Sequence, residues 1–457
     1  MRTDIHSPYD GSVVGSVFES SEQVVKDSIA RAEAIRPKLA AMPAHRRSAI
    51  LRRVSDLIDA NAGDLAVMMA RESGKPMRYA RGEVARAVET FAFAAEEAKR
   101  IHGETVPLDA AKGGVGKMGY YVRVPVGVVA AITPFNFPLN LVAHKVAPAI
   151  AAGCPIVLKP APATPLTALR LAEMFSEAGL PDGAFSVVVG GTDVGRWLTT
   201  DPRVAMISFT GSPPVARAIS EVAGLRRTTF ELGGNAAVVV DDTIELDGVV
   251  DKLVTGAFAY SGQVCISVQR IYVHRSRYDS FMADFSARTK RLKLGDPVED
   301  GTEIGPIITD QAADRIEAWV NEAEQAGARV ETTAPRKGRM LAPSIVTNAT
   351  RDMKVMREEV FGPVVNVLPY DDFDDALVQV NDSPFGLQAG VFTRDLNRAM
   401  RAVQALDVGG VMINDAPTFR VDHMPYGGNK DSGVGREGPR FAIEDMTTLK
   451  MIVFSTA

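Results

Sequence analysis

Between residues 21 and 101 apolar side chains recur at helical spacing, Val24, Ile29 and Ala32 first and Ile50, Val54 and Leu57 after them, with Gly74-Lys75-Pro76 as an interruption. One apolar stripe with a period near 3.6 is what a helix buried on one side requires, so the segment reads as a run of amphipathic helices. The pattern then changes. Short β-rich runs at 127–132, 155–158, 184–189 and 204–208 alternate with helical stretches at 139–151, 166–177, 193–198 and 215–222. Strands alternating with helices at this spacing predict parallel βαβ units and a sheet of the nucleotide-binding type. A second alternating series runs from about 236 to about 414, with helices at 246–259 and 311–325. The expected fold class is therefore α/β with two parallel-sheet domains. No internal repeat or low-complexity segment stands out.

Length agrees with that division, because 457 residues exceed what one hydrophobic core usually organises. The net charge of −5 comes from acids and bases spread along the chain, with no basic block able to neutralise a row of phosphates. Nucleic acid and membrane surfaces are not expected partners. Residues 126–158 are the most apolar stretch, but Pro134, Asn136, Pro138, Asn140, His144 and Lys145 interrupt them too often for a membrane-spanning helix. The first eleven residues hold Arg2 and no apolar run, unlike a signal peptide. Two cysteines, Cys154 and Cys265, build neither a disulfide framework nor a CxxC metal site. No metal is expected, and a reducing, cytoplasmic location is.

Two stretches match G-x-G-x-x-G, one beginning at Gly114 and the other at Gly433. Neither follows a predicted strand and opens a helix, the context in which such glycines cradle a pyrophosphate, so both read as surface loops or hairpins. More informative is an ordered series: Thr133-Pro134-Phe135-Asn136-Phe137-Pro138, Leu158-Lys159-Pro160, Phe209-Thr210-Gly211-Ser212, Glu231-Leu232-Gly233-Gly234-Asn235, Gly262-Gln263-Val264-Cys265 and Glu359-Val360-Phe361-Gly362-Pro363. In these motifs the chain resembles the aldehyde dehydrogenase superfamily, from about Ile5 to the C-terminus and in the family's order.

The resemblance implies oxidation of an aldehyde to a carboxylic acid with NAD or NADP. An aldehyde carbon gives up hydride only after a nucleophile has added to it, and a thiolate is the best nucleophile near neutral pH. Cys265, in a polar, glycine-containing loop, is the candidate. Cys154, at the head of an apolar strand, reads as structural. By resemblance Asn136 and the Cys265 backbone N–H hold the oxyanion, and Glu231 is the base for thioester hydrolysis. The presence of Glu231 favours water over coenzyme A as acyl acceptor, and the retained catalytic trio argues against a non-catalytic binding homologue. Cofactor contacts implied in the same way are Thr133, Pro134, Phe135, Lys159, Phe209, Gly211, Ser212, Leu232, Glu359 and Phe361. Pro162 stands where many NAD-using members carry Glu, which suggests that NADP is accepted. Pro213-Pro214-Val215-Ala216 also departs from the family's usual glycine.

The resemblance further implies a cofactor domain at 1–108 and 126–232, a catalytic domain at 233–428, and a small β extension at 109–125 and 438–457 that pairs subunits into a homodimer or homotetramer. Its strands are expected at about 112–123 and 450–454. Arg86 and Arg420 resemble arginines that grip anionic groups in relatives oxidising lactaldehyde, glyceraldehyde phosphate, succinic semialdehyde or sulfonate aldehydes. A short hydroxylated or anionic aldehyde is the expected substrate. The alternative is local pairing, Arg86 with Glu83 or Glu89 and Arg420 with Asp422.

Overall fold

In the computed structural model, which describes residues 2–455, the helical region resolves into α1 (Glu22–Ala40), α2 (Ala44–Ala60), α3 (Ala62–Ser73) and α4 (Met77–Glu97). The interruption at Gly74-Lys75-Pro76 separates α3 from α4. Gly74 ends α3 in the left-handed conformation at φ 71°, and a Cβ there would lie 2.7 Å from the Pro306 ring. Only glycine meets both demands.

The first sheet contains β1 (Val128–Ile132), β2 (Ile156–Lys159), β3 (Phe185–Val187), β4 (Val204–Thr210) and β5 (Arg227–Glu231), all parallel to their labelled neighbours. Its spatial order is β5-β4-β1-β2-β3. Val129 and Ala131 face a core shared with α2, α4 and the helix α5 (Asn140–Ala152), while Val128, Ala130 and Ile132 face α1 on the other side. Burial on both faces explains why β1 is a continuous apolar run rather than an alternating one. α5 is buried all round, which accounts for the apolar stretch that contains it.

The second sheet has β6 (Ala236–Val240), β7 (Val268–His274), β8 (Ser344–Thr347), β9 (Val364–Tyr370), β10 (Gln388–Phe392) and β11 (Gly410–Ile413), ordered β8-β9-β7-β6-β10-β11. These are parallel, and Arg329–Thr332 adds an antiparallel edge beside β8. Gly233 and Gly234 join the C-terminal end of β5 to the start of β6. The carboxyl edge of the first sheet therefore meets the amino edge of the second.

A third, antiparallel sheet joins Lys117–Pro125 to Thr447–Ser455, with Thr105–Val106 beside it. It differs from the expected extension in three ways. Lys112–Gly114 is a 3-10 turn, Thr105–Val106 contributes from a stretch assigned to the cofactor domain, and Ile443 of the helix Pro439–Asp445 is buried in the core beneath α5. The G-x-G-x-x-G stretch at 114–119 is the turn entering Lys117–Pro125. The one at 433–438 is not a surface loop: Gly433–Val434 pairs antiparallel with Glu231 and Phe230 at the edge of the first sheet, and Glu437 is buried. Among the described residues no helix is long and apolar enough to cross a membrane, and no cluster of His, Cys, Asp or Glu is suited to a metal ion.

Candidate active site

Cys265 lies between the helix Val249–Phe258 and β7, on a loop whose backbone is unusual. Tyr260, Ser261 and Gly262 are all left-handed, at φ 49°, 56° and 70°. Two consecutive non-glycine residues in that region are costly and persist only when their surroundings hold them. Here Tyr260 Oη donates to the Ser73 carbonyl at 2.8 Å and Ser261 Oγ to the Gly305 carbonyl at 2.7 Å. Gln263 adds a further anchor, accepting from the Ile308 N–H at 3.0 Å and donating to the Pro306 carbonyl at 3.2 Å. From the other side Gly234 packs against the loop so tightly that a Cβ would lie 2.1 Å from the Cys265 carbonyl oxygen.

The thiol opens on a cavity of about 230 Å³ whose walls include Pro134, Phe135, Asn136, Gly211, Ser212, Leu232, Cys265, Glu359 and Phe361. Their loops follow β1, β4 and β5, together with the segment before β9. In an open parallel sheet the crevice forms where neighbouring strands send their connections to opposite sides. That point is between β1 and β4 here. Phe361, at φ 52°, sets its ring edge-on to Phe135 with centroids 5.9 Å apart. Phe209 lies beneath the wall, where a Cβ on Gly211 would meet its ring at 2.4 Å.

Asn136 is buried and donates its amide to the Gln263 carbonyl at 3.0 Å, next to the cysteine. The Cys265 N–H has no protein acceptor among the described residues. Glu231, at the end of β5, is 3% exposed, and neither carboxyl oxygen has a protein partner. Burial, reinforced by Glu437, pushes its carboxyl well above the ordinary range. Glu359 accepts the Gly234 N–H at 2.9 Å, and burial raises it to about 7. Burial also pushes the Cys265 thiol up to about 11; the Tyr426 hydroxyl, 3.1 Å from Sγ, opposes this. Cys154 is buried far from these groups, with Sγ donating to the Met446 carbonyl at 3.2 Å.

A dinucleotide fits these residues. The buried hydroxyls of Thr133 and Thr210 have no protein partner, as expected of polar atoms kept for a ligand. Lys159, at the end of β2, spends two of its three N–H bonds on the Pro160 and Gly190 carbonyls, at 3.1 and 3.0 Å, and burial lowers it to about 8. Ser212 occupies the N-cap position of the helix Pro213–Ala223 without a capping side-chain bond, and the first two residues of that helix are prolines and lack N–H groups. That helix start therefore offers an anion Ser212 and Val215 rather than a full ring of amides.

The two arginines do not make the local pairs offered as the alternative. Arg86 forms a bidentate pair with Asp422, at 2.7 and 3.0 Å, and not with Glu83 or Glu89. Glu83 is instead paired with buried Lys75 and accepts the Leu139 and Asn140 N–H groups at the start of α5. Arg420 pairs with Glu437 at 3.1 Å rather than with Asp422, which takes hydrogen bonds from Asn140 and His144. Lys145 completes the cluster, 3.2 Å from Glu437 and 3.0 Å from Ser208. Tyr426, Glu437, Lys145 and His144 escaped the sequence reading. The available signal was a lysine and a histidine inside the apolar run that became α5.

The sequence model of the Aldehyde dehydrogenase family matches residues 1–452. A 3-sulfolactaldehyde dehydrogenase from Priestia aryabhattai is 49% identical over 412 residues, covering 90% of this chain and 86% of that protein. Among solved structures, aldehyde dehydrogenase 21 from Physcomitrella patens, in complex with the reaction product succinate, is 42% identical with TM-score 0.98, covering 100% of this chain and 95% of that one. The glyceraldehyde-3-phosphate dehydrogenase GapN from Methanocaldococcus jannaschii DSM 2661, complexed with NADP, is 36% identical with TM-score 0.95 and covers 99% of both chains. With this agreement over its whole length, and with a crevice suited to a dinucleotide beside a cysteine, the chain belongs to the aldehyde dehydrogenase family as an NAD(P)-dependent oxidoreductase of aldehydes.

Proposed function

We propose that the protein oxidises a short aldehyde carrying an anionic or hydroxyl group to the free acid, through a thioester on Cys265 hydrolysed with Glu231 as base. The observation that carries this reading is Cys265 and Asn136 on one cavity wall, with an unpartnered, buried Glu231 close enough to act electrostatically on the Cys265 sulfur. The Cys265 thiolate adds to the carbonyl carbon, and the resulting oxyanion lies against the Asn136 amide and the Cys265 N–H, donors already held in place. Bound NAD or NADP supplies the hydride acceptor. Thr133, Lys159, Ser212 and Glu359 are the polar residues that hold it. Water then attacks the thioester while Glu231 takes its proton, and the sulfur leaves.

Glu231 serves as base only when ionised, and its pKa is raised, so thioester hydrolysis should accelerate as pH rises through that value. Glu231→Gln should slow hydrolysis by about 100-fold or more, leaving an acyl adduct on Cys265 that intact-mass measurement detects after one turnover. Unimpaired release of acid by this variant would move the base elsewhere.

Two relatives bear on the substrate, one named for 3-sulfolactaldehyde and one holding succinate. Both molecules are anionic. Each of the two candidate arginines is paired with a carboxylate, Arg86 with Asp422 and Arg420 with Glu437, but the Arg86 side chain is 28% exposed and that of Arg420 6%. We assign anion recognition to Arg86. Arg86→Ala should raise KM at least about tenfold for a sulfonate or carboxylate aldehyde and little for a neutral aldehyde of equal length. Equal effects on both would make Arg86 purely structural.

Cofactor selectivity follows from Pro162, which places no carboxylate where a 2′-phosphate would meet one, and from the third N–H of Lys159. Both NAD and NADP should be turned over, and kcat/KM for each decides the matter; no measurable NADP turnover contradicts it. Leu449, Met451, Val453 and Phe454 are exposed on the strand Thr447–Ser455. A long apolar edge of this kind invites pairing with a second copy, consistent with a dimer or tetramer.

A further inference from the structure

We propose that Tyr426 is a catalytic residue that stabilises the Cys265 thiolate through its phenolic O–H, and that Arg420 is the positioning residue that fixes and polarises this phenol. The proposal rests on Cys265 being the nucleophile and adds what makes it one. Two carboxyl groups, Glu359 and Glu231, face the sulfur and oppose a negative charge there, as burial does. The groups acting in the other direction are the Tyr426 hydroxyl and the Arg420 guanidinium. Among the described residues Tyr426 is the side chain within hydrogen-bond distance of Sγ.

The phenol is rigidly placed. Tyr426 is 2% exposed, and its backbone exchanges two hydrogen bonds with Glu437, at 3.1 Å and 2.6 Å. The Arg420 guanidinium lies 3.6 Å from the ring centroid, and Glu437, itself beside Lys145, holds it there. A cation over the ring face withdraws electron density and makes the O–H a better donor. Burial keeps Tyr426 protonated far beyond neutral pH, so it cannot accept the thiol proton. It can only donate. When Cys265 ionises, its proton passes to a water molecule in the cavity, and the Tyr426 O–H, keeping its own proton, turns onto the sulfur lone pair left behind.

The test is the pH dependence of Cys265 alkylation by iodoacetamide, followed by peptide mass spectrometry in the wild-type protein, Tyr426→Phe and Arg420→Lys. Tyr426→Phe retains the ring and its stack, and unchanged NADP binding verifies the fold. A hydrogen bond to a charged sulfur is worth enough to move the alkylation midpoint up by about one to two pH units, a roughly 10- to 100-fold slower reaction at pH 7. Arg420→Lys should shift it in the same direction by less, because the charge remains but the planar stack is lost. Superimposable profiles for wild type and Tyr426→Phe overturn the proposal. Failure of the parent reading is separable: it would appear as turnover by a Cys265→Ala variant, whatever the alkylation profiles show.

Discussion

Cys265→Ala will abolish NAD(P)H production with every aldehyde tried while leaving cofactor binding intact. The methyl group removes the proposed nucleophile without touching the anchors of its loop, since Tyr260, Ser261 and Gln263 hold the backbone through bonds to Ser73, Gly305, Pro306 and Ile308. Losing a covalent nucleophile typically costs on the order of 10⁴-fold or more, because general base and oxyanion donors then have no adduct to act on. Steady-state assay of the variant with wild-type affinity for NADP is the decisive measurement. Cys154 offers no substitute: it is fully buried, bonded to the Met446 carbonyl, and does not line the cavity on which Cys265 opens. Residual turnover within tenfold of wild type would remove Cys265 from the mechanism.

Glu83→Ala is expected to have the largest effect on stability. Lys75 and Glu83 are both fully buried, and the ammonium also sits 3.8 Å from the centre of the Phe137 ring and 4.8 Å from that of Tyr260. Removing the carboxylate strands a buried cation, which typically costs about 3–5 kcal/mol. It also leaves the Leu139 and Asn140 N–H groups without their acceptor at the start of α5. Chemical denaturation should show the loss. Adding Lys75→Met should recover part of it, since the stranded charge is then gone; the coupling follows from the double-mutant cycle. If the single variant unfolds with wild-type stability, the cavity admits enough water to solvate Lys75. Because Phe137 adjoins Asn136 and Tyr260 begins the Cys265 loop, activity should fall before the protein unfolds.

Most of the architecture was legible along the chain because its signals are local. Helical periodicity in α1 to α4 and the alternation from β1 to β5 need only a window of ten or so residues, and both sheets arose where that alternation placed them. The misplaced pieces are those whose identity depends on distant partners. Thr105–Val106 and Gly433–Val434 are two-residue strands, too short to carry a period, and exist because a longer strand runs beside them. The stretch starting at Gly433 looked like a loop for that reason.

The chemistry divides along the same line. The sequence by itself determined the family, and it singled out the candidates for nucleophile, oxyanion amide and base, since each lies in a short contiguous motif whose residue types suit one reaction. Only the tertiary structure decided what surrounds them. Arg86 meets Asp422 across 336 positions, His144 meets Asp422 across 278 and Lys145 meets Glu437 across 292. Charged pairs at short spacing were the natural reading for isolated helices, where neighbours one turn away are within reach. In the folded chain, α5 carries His144 and Lys145 into the buried interior, where a polar or charged group must find its partner wherever the chain returns. That return is the segment from Arg420 to Glu437, which brings Tyr426 to the Cys265 sulfur.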